Sequence, residues 1–208
     1  IDQNCSGQAD EGFPSACQCA RRAAGIVGWW PGDGNAEDMI GWNDGTSTGP
    51  GATFTGIGQV GQAFYFSFGQ PGGIVLPDAP ELEFTSEMTL EAWIRADELS
   101  SPRTIFDKYS YGLRVEPLGF IKATVEDETQ GADTLSSENG TVPIGVWRHV
   151  ATTFESGSWK LYLDGELAAS KPSSATTIFN LGFTEPYIGV DPNGEHEFAG
   201  YIDEAAMY

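Results

Sequence analysis

The chain has 208 residues, 40% of them hydrophobic and 12% aromatic, which is enough for one well-buried domain and short for two. Thirty acidic residues against ten basic ones give a formal net charge of −20, which would repel phosphate backbones and anionic membranes and so excludes nucleic-acid binding. No apolar run approaches the roughly eighteen residues of a membrane span, so the sequence predicts none.

The N-terminal 24 residues show neither helical nor strand periodicity and carry all three cysteines, Cys5, Cys17 and Cys19. We interpret residues 1–24 as an irregular arm in front of a domain that covers residues 25–208. Cys17 and Cys19 are too close in sequence to bridge comfortably, so Cys5 is expected to pair with one of them. The third thiol would then be free or bonded to another chain.

The acidic surplus has three possible explanations, which are not exclusive. Clustered carboxylates can bind hard cations, a salty medium selects acidic surfaces, and an extracellular protein gains solubility from charge. The chain starts at Ile1 without a Met, as after removal of a signal peptide, so we expect an extracellular protein, secreted or on the cell surface.

After residue 24 the sequence becomes a series of short strand-like runs separated by Gly, Pro, Asp, Asn and Ser. In chain order the runs read GIVGWW, ATFTGI, QAFYFSF, GGIVLP, MTLEAWIRA, RTIFDKY, YGLRVE, GFIKATVE, VWRHVATTF, WKLYLDG, PYIGV and GYIDEAAMY. The one helical signal is a short turn in PDAPELEF after Pro80. LYLDGELAAS predicts a hairpin with Asp164-Gly165 as a two-residue type I′ turn.

Alternating hydrophobicity assigns faces to several of these strands. Three sets of residues are each expected to share one face: Leu90, Ala92 and Ile94; Val146, Val150 and Phe154; and Trp159, Leu161 and Leu163. Period two recurring along the chain, without a convincing helical window, predicts an all-β sandwich or barrel.

Several motifs in order from residue 25 to residue 208 resemble one family. They are a W-x-x-D-G-N-x-x-D opening, a G-Q-A-F strand, T-L-E-A-W, W-x-H-V-A, the L-Y-L-D-G hairpin and a terminal I-D-E. Together they resemble the laminin-G-like modules of the concanavalin A-like lectin/glucanase superfamily. The resemblance implies a two-sheet antiparallel jelly-roll sandwich and a role in binding or adhesion, commonly to glycans or proteins. It also implies that a structural Ca²⁺ is common and that catalysis is not the usual role; the arm is not part of the family pattern.

The opening run WWPGDGNAEDMIGWNDG, residues 29–45, is rich in oxygen side chains and has no base. Ca²⁺ prefers six to eight oxygen ligands, and Gly-punctuated loops supply them from side chains and backbone. The candidate ligands in this loop are Asp33, Asn35, Asp38, Asn43 and Asp44. The resemblance places the first and last strands side by side, which would add Asp203 and Glu204. We expect a Ca²⁺ site built from some of these seven residues; the alternative is an acidic turn whose side chains cap backbone groups.

The tryptophans divide between core and surface. Trp29 and Trp30 are adjacent in a strand and must point to opposite faces, so one is expected in the core. Trp93, Trp147 and Trp159 are expected to pack in the core or on a sheet face. Trp42 lies in a Gly/Asn/Asp loop and is the candidate for stacking on a sugar ring; alternatively it folds back over the end of the sandwich.

A catalytic role is not expected. The E-x-D-x-x-E row of hydrolytic relatives is absent, and so are H-E-x-x-H, G-x-S-x-G and phosphate-loop motifs. Of the two histidines, His149 fits a packed strand position and His196 lies in a loop without a nucleophile motif. The acidic runs 126–128 and 195–197 are interpreted as solvated loop tips.

The sequence therefore predicts a secreted, non-catalytic binding or adhesion module for a glycan or surface protein, stabilised by calcium. The alternative is a structural subunit of an extracellular fibre or surface layer. In that case the arm, the cysteines and Ca²⁺ would join copies of the chain, because an extended arm can add a strand to a neighbour's sheet edge.

Overall fold

The computed structural model describes residues 23–54, 56–129, 131–155, 157–179, 182 and 184–208. These residues form two antiparallel sheets packed face to face, with one turn of 3-10 helix at Pro80–Leu82. The predicted jelly-roll sandwich is confirmed, and the helical turn lies where PDAPELEF predicted it. Residues 1–22 of the predicted arm, with Cys5, Cys17 and Cys19 and their expected pairing, lie outside the described residues. The described part contains no helix with the length and apolar character of a membrane span.

Fifteen strands are described. In chain order they are β1 (Gly28–Trp30), β2 (Thr46–Ser47), β3 (Ala52–Thr53), β4 (Phe64–Phe66), β5 (Ile74–Val75), β6 (Glu87–Ala96), β7 (Arg103–Asp107), β8 (Tyr111–Glu116), β9 (Phe120–Glu126), β10 (Ala132–Ser136), β11 (Arg148–Glu155), β12 (Ser158–Leu163), β13 (Glu166–Pro172), β14 (Tyr187–Ile188) and β15 (Gly200–Met207). The eight-stranded sheet has the order β13-β12-β11-β6-β15-β4-β3, with β1 also paired to β15. The seven-stranded sheet has the order β10-β9-β8-β7-β14-β5-β2.

The core lies between the sheets and is built from alternate residues of each strand. On β6, Leu90, Ala92 and Ile94 are fully buried while Glu91 and Trp93 remain partly exposed, as period two requires. The hairpin between β12 and β13 has the predicted turn, with φ of 50° at Asp164 and 81° at Gly165. Two positive φ values in succession are those of a type I′ turn, whose twist matches the strands.

Two strands and one residue differ from the sequence predictions. The strands β2 and β10 were not predicted, because β2 is a two-residue exposed pair and β10 is an edge strand in which only Leu135 is buried. Val146 does not share the buried face of Val150 and Phe154. It precedes the first residue of β11 and is 44% exposed, so strand alternation does not govern it.

The last strand changes partner halfway along one side. β4 pairs with Gly200–Ile202 at one end of β15, and β1 pairs with its other end, where Trp30 opposes Ala205. The predicted contact between the first and last strands is thus confirmed. Between the two partners β15 has a bulge in its register with β6, and Glu204 there has φ of 52°. The bulge changes the direction of the side chains of β15 between the segment that pairs with β4 and the segment that pairs with β1.

Candidate functional site

Asp203 lies at this bulge and is fully buried. Its Oδ2 accepts a hydrogen bond of 2.9 Å from the amide of Val60, whereas Oδ1 has no hydrogen-bond partner among the described residues. Burial raises the pKa of Asp203 to about 7; the amides of Val60, Gln59 and Glu204 lower it in part, and the carboxylate of Glu204 raises it further. An orphaned carboxylate oxygen in the interior is costly unless a cation or proton completes it.

Glu204 follows Asp203 in β15, and the loop that donates to Asp203 through Val60 also donates to Asp33 through Gln62; the oxygens of the three acids do not all lie within 4.8 Å of one another. Glu204 Oε2 accepts a hydrogen bond of 2.6 Å from Trp29 Nε1, and Asp33 Oδ1 accepts one of 2.7 Å from the amide of Gln62. Burial raises the pKa of Glu204, the bond from Trp29 lowers it in part, and the nearby charge of Asp33 raises it further. No ion pair within the described part of the chain includes any of these three acids, so their negative charges are uncompensated by bases. We call Asp33, Asp203, Glu204 and the adjoining loop 56–62 the seam.

The loop of the seam approaches the acids through glycines. A Cβ at Gly58 would lie 2.6 Å from Asp203 Oδ2 and 2.2 Å from the carbonyl oxygen of Gln62. A Cβ at Gly61, where φ is 59°, would lie 2.3 Å from Asp33 Oδ1. Both positions therefore require glycine for the loop to cover the carboxylates.

The other four predicted ligands hold backbone groups or pack beneath the loop. Both oxygens of Asp38 are used: Oδ1 accepts from the amides of Trp29 and Ile40 at 2.9 Å, and Oδ2 from those of Gly41 at 3.1 Å and Asn43 at 3.3 Å. Asp44 Oδ1 accepts from the amide of Asp38 at 2.9 Å, and Asn35 Oδ1 from that of Glu37 at 3.0 Å. Asn43 is buried and donates through Nδ2 to the carbonyl of Val27 and to Glu81. The seven candidates thus divide into three at the seam and four in a backbone-capping turn.

The tryptophans follow their expected division. Trp30 and Trp159 are fully buried, and Trp29 keeps part of its surface. Trp93 packs edge-on against His149 with ring centroids 5.3 Å apart on the outer face of the eight-stranded sheet. Trp42 is 93% exposed, so its ring is available to a ligand. Its role in stacking stays a prediction.

A groove of about 320 Å³ crosses the outer face of the seven-stranded sheet. Its floor is Gly112, which lies between Asp107 of β7 and Thr124 of β9 in the strand register. Because Leu113 and Val115 point into the core, alternation turns Gly112 and its even-numbered neighbours outward. The missing side chain at Gly112 leaves the hollow. The lining is completed by Tyr109, Tyr111, Leu113, Arg114, Lys122, Glu126, Ala132, Thr134, Asp191, Pro192 and Asn193.

One side of the groove is basic. Arg114 of β8 and Lys122 of β9 are directly opposite each other in register. Arg114 Nε donates to Glu116 Oε1 at 2.6 Å, and Lys122 Nζ lies 3.8 Å from the same oxygen. The two cations therefore share a single carboxylate.

The other side of the groove is acidic. Burial raises the pKa of Asp107 to about 6, with Asp191 and Glu126 raising it further, while the amide of Tyr109 and the charge of Arg114 lower it in part. Tyr109 adopts φ of 58° and donates its hydroxyl to Asn193 Oδ1 at 2.9 Å. A ligand's hydroxyl groups can therefore form hydrogen bonds with the carboxylates of Asp107 and Glu126 and with the amide of Asn193.

The end of the groove is formed by a loop organised around Asp191. Its Oδ1 accepts from the amides of Asn193 at 3.0 Å and Glu195 at 2.7 Å, and its Oδ2 contacts His196 Nδ1 at 2.8 Å. The carboxylate and imidazole groups of Asp191, Glu195 and His196 lie within 4.8 Å of one another. Glu195 is exposed, as expected of a solvated loop tip, while His196 is held by Asp191. A second hollow beyond this loop shares Asp191, Pro192 and Asn193, so the two adjoin.

The sequence predictions missed the groove residues Asp107, Gly112, Arg114, Lys122 and Asn193. Four are single polar residues in a strand or turn, the fifth is a glycine within a strand, and none belongs to a local motif. The available signal was alternation, which places Arg114 and Lys122 outward on consecutive strands; only the strand register brings them face to face.

Similar solved structures share the fold. Domain 4 of AbnA, an extracellular GH43 arabinanase from Geobacillus stearothermophilus, solved with arabinotriose, is 21% identical with a TM-score of 0.69 and matches 88% of this chain and 91% of its own. The binding domain of Paraclostridial Mosquitocidal Protein 1 is 14% identical with a TM-score of 0.70. It matches 88% of this chain, which spans 48% of that structure's length. The CBM40 of a Ruminococcus gnavus IT-sialidase, bound to α2,3 sialyllactose, is 15% identical with a TM-score of 0.54, matching 61% of this chain and 77% of its own.

These identities are low enough that the likeness concerns the fold. No curated protein sequence matches the chain significantly. A laminin-G family model, described as the concanavalin A-like lectin/glucanases superfamily, matches residues 68–208 and hence most of the sandwich. The chain therefore belongs to the laminin-G family of the concanavalin A-like lectin/glucanase superfamily.

Proposed function

We propose that this protein is a non-catalytic carbohydrate-binding module whose ligand lies in the groove of the seven-stranded sheet. The groove carries the proposal, because it combines a hollow floored by glycine with polar side chains from four strands and two loops. Sugar rings present hydroxyl groups that donate and accept hydrogen bonds, and this lining offers both kinds of partner.

The similar domains support the same class of function. One was solved with arabinotriose and another with sialyllactose, and the first belongs to an extracellular enzyme. The extracellular location of the arabinanase favours a secreted module here, as does the acidic composition. Two adjoining hollows are consistent with a ligand longer than one sugar. Self-assembly through the arm stays a prediction, since its first 22 residues, with all three cysteines, lie outside the described part.

The binding test compares matched asparagine variants. Asn193→Ala removes an amide at the groove, whereas Asn139→Ala removes an exposed amide in the turn after β10. We expect the wild type to bind oligosaccharides on a glycan array, and Asn193→Ala to weaken binding about tenfold, the effect of one to two hydrogen bonds. Asn139→Ala should match the wild type. Equal affinity of all three proteins would place the ligand elsewhere, and absence of any glycan binding would refute the function.

We also propose that Asp33, Asp203 and Glu204 hold a structural Ca²⁺ at the seam. The support is the orphaned Oδ1 of buried Asp203, together with three acids that have no basic partner among the described residues. Carboxylate oxygens are the ligands Ca²⁺ prefers, and the bound ion would supply the positive charge that these acids lack. The four residues of the capping turn already use their oxygens or amide for the protein's own groups.

Matched carboxylate-to-amide substitutions distinguish a Ca²⁺ at the seam from one in the capping turn. Calcium should raise the melting temperature of the wild type relative to chelator, by mass action on the native state. Glu204→Gln should diminish that rise, whereas Asp44→Asn should keep it, since an amide oxygen can still accept from Asp38. If Asp44→Asn abolishes the calcium effect and Glu204→Gln does not, the ion binds in the turn instead. A melting temperature indifferent to chelator refutes the calcium site.

A further inference from the structure

Positive charge is scarce in this protein, and among the described residues two bases, Arg114 and Lys122, line the groove. Arg114 pairs with Glu116 at 2.6 Å, whereas Lys122 lies 3.8 Å from the same carboxylate, so the ammonium group of Lys122 is the less engaged of the two cations. Lys122 keeps 27% of its side chain exposed and lies 3.8 Å from Glu116, a distance that leaves its ammonium donors available. The basic side of the groove therefore offers a charge that a neutral ligand would not use.

The opposite side of the groove has the reverse character. Asp107 and Glu126 present carboxylates, and the strand register separates them from Arg114 and Lys122 across Gly112 and Thr124. A carboxylate accepts hydrogen bonds and repels anions, so this side suits the hydroxyl groups of a sugar. A ligand that fits both sides carries an anion at one end and hydroxyl donors at the other.

From this charge arrangement we propose that the groove selects sugars that carry a carboxylate, the uronic-acid class. The inference rests on the proposed glycan function of the same groove. The sugar carboxylate accepts hydrogen bonds from Lys122 Nζ and the guanidinium of Arg114, and the ring hydroxyls donate to Asp107 and Glu126. Charge-assisted hydrogen bonds of this kind are stronger than neutral ones, so they set the preference.

The test removes charge from the ligand and from the protein separately. Calorimetry measures the affinity of the full chain for tetrasaccharides of galacturonic, glucuronic and mannuronic acid, each as the free acid and as its methyl ester. We expect at least one acid to bind about tenfold more tightly than its ester at low salt, and the difference to shrink at about 0.3 M salt as screening increases. Lys122→Met should remove the preference. Lys160→Met, a matched change on the outer face of the eight-stranded sheet, should retain it.

The outcomes distinguish failure of the uronic-acid preference from failure of the glycan function. If acids and esters bind equally and Asn193→Ala weakens both, the preference for uronic acids is refuted while the glycan groove stands. If an acid preference survives Lys122→Met but not Lys160→Met, the anion lies on the other sheet and the inference is wrong. If neither these acids nor any oligosaccharide on the array binds, the glycan function itself fails.

Discussion

Asp203→Asn is the most informative change in this protein, because it removes a buried charge without changing side-chain size. Raising the pKa of Asp203 from 3.8 to about 7 makes its ionisation less favourable in the folded state by roughly 4 kcal/mol. The folded protein binds this proton more tightly than the unfolded chain does. In chelator, the stability contribution is therefore full below pH 4 and is lost as the pH rises to about 7.

The asparagine variant has no ionisation cost, but its amide NH₂ group replaces an oxygen, Oδ1, that had no hydrogen-bond partner among the described residues. A buried amide without an acceptor costs about 1–3 kcal/mol. In chelator at pH 8 we therefore expect Asp203→Asn to be more stable than the wild type, by about 1–3 kcal/mol. At pH 5 the folded carboxyl is mostly protonated while the unfolded one is mostly ionised, so the wild type still carries a cost of about 1.6 kcal/mol, and the variant's relative stability should fall by about 2.5 kcal/mol between pH 8 and pH 5.

The assay is urea unfolding of both proteins at pH 5 and pH 8, with calcium or chelator, so that the other titrating groups cancel in the difference. At pH 8 calcium should stabilise the wild type by about 3 kcal/mol at a hundredfold excess over its dissociation constant, and the variant by much less. A variant that is equally destabilised at both pH values in chelator would contradict the buried-charge reasoning. A variant stabilised by calcium as much as the wild type would remove Asp203 from the cation site.

Three further predictions use simpler measurements. Asp38→Ala should lower the free energy of unfolding by about 2–4 kcal/mol equally in calcium and in chelator, because four backbone amides lose their acceptor; a loss seen only in calcium would make Asp38 a ligand. Because the pKa of Asp107 is raised to about 6, this carboxyl should stabilise the wild type by about 2 kcal/mol as the pH falls from 7.5 to 4.5. Asp107→Asn should abolish that gain, as measured by unfolding both proteins at the two pH values. A pH profile unchanged by the substitution would argue against the burial of this carboxyl. Trp42→Ala should change the melting temperature by less than about 2 °C, since the side chain is 93% exposed, and reduced glycan affinity would assign the ring to stacking.

Much of the fold was accessible from the sequence because its signals are local. The alternation of β6 predicted its buried face, and Asp164-Gly165 predicted the turn that joins β12 to β13. The edge strand β10 escaped prediction because only one of its residues is buried and its polar side chains read as loop. Val146 was assigned to a face because periodicity alone does not mark where a strand begins.

The candidate sites were accessible only in part. Asp33 and Asp38 belong to the same acidic run, and composition treats them alike. Tertiary structure separates them: Asp38 caps four amides beside β1, whereas Asp33 meets the loop that covers Asp203. An oxygen already engaged by backbone amides and one left without a partner differ in what they can bind, and no local pattern distinguishes them.

Local sequence signals were enough to predict an all-β, acidic sandwich of the laminin-G family, because hydrophobic period, turn residues and charge are properties of neighbouring positions. Only the tertiary structure shows which acid lies buried at the bulge of β15 and that Arg114 and Lys122 lie opposite each other on β8 and β9. These contacts depend on strand register and on a bulge, which bring together residues far apart in the chain. Asp203 and Val60, 143 positions apart, share a hydrogen bond only because the last strand exchanges β4 for β1 at that point.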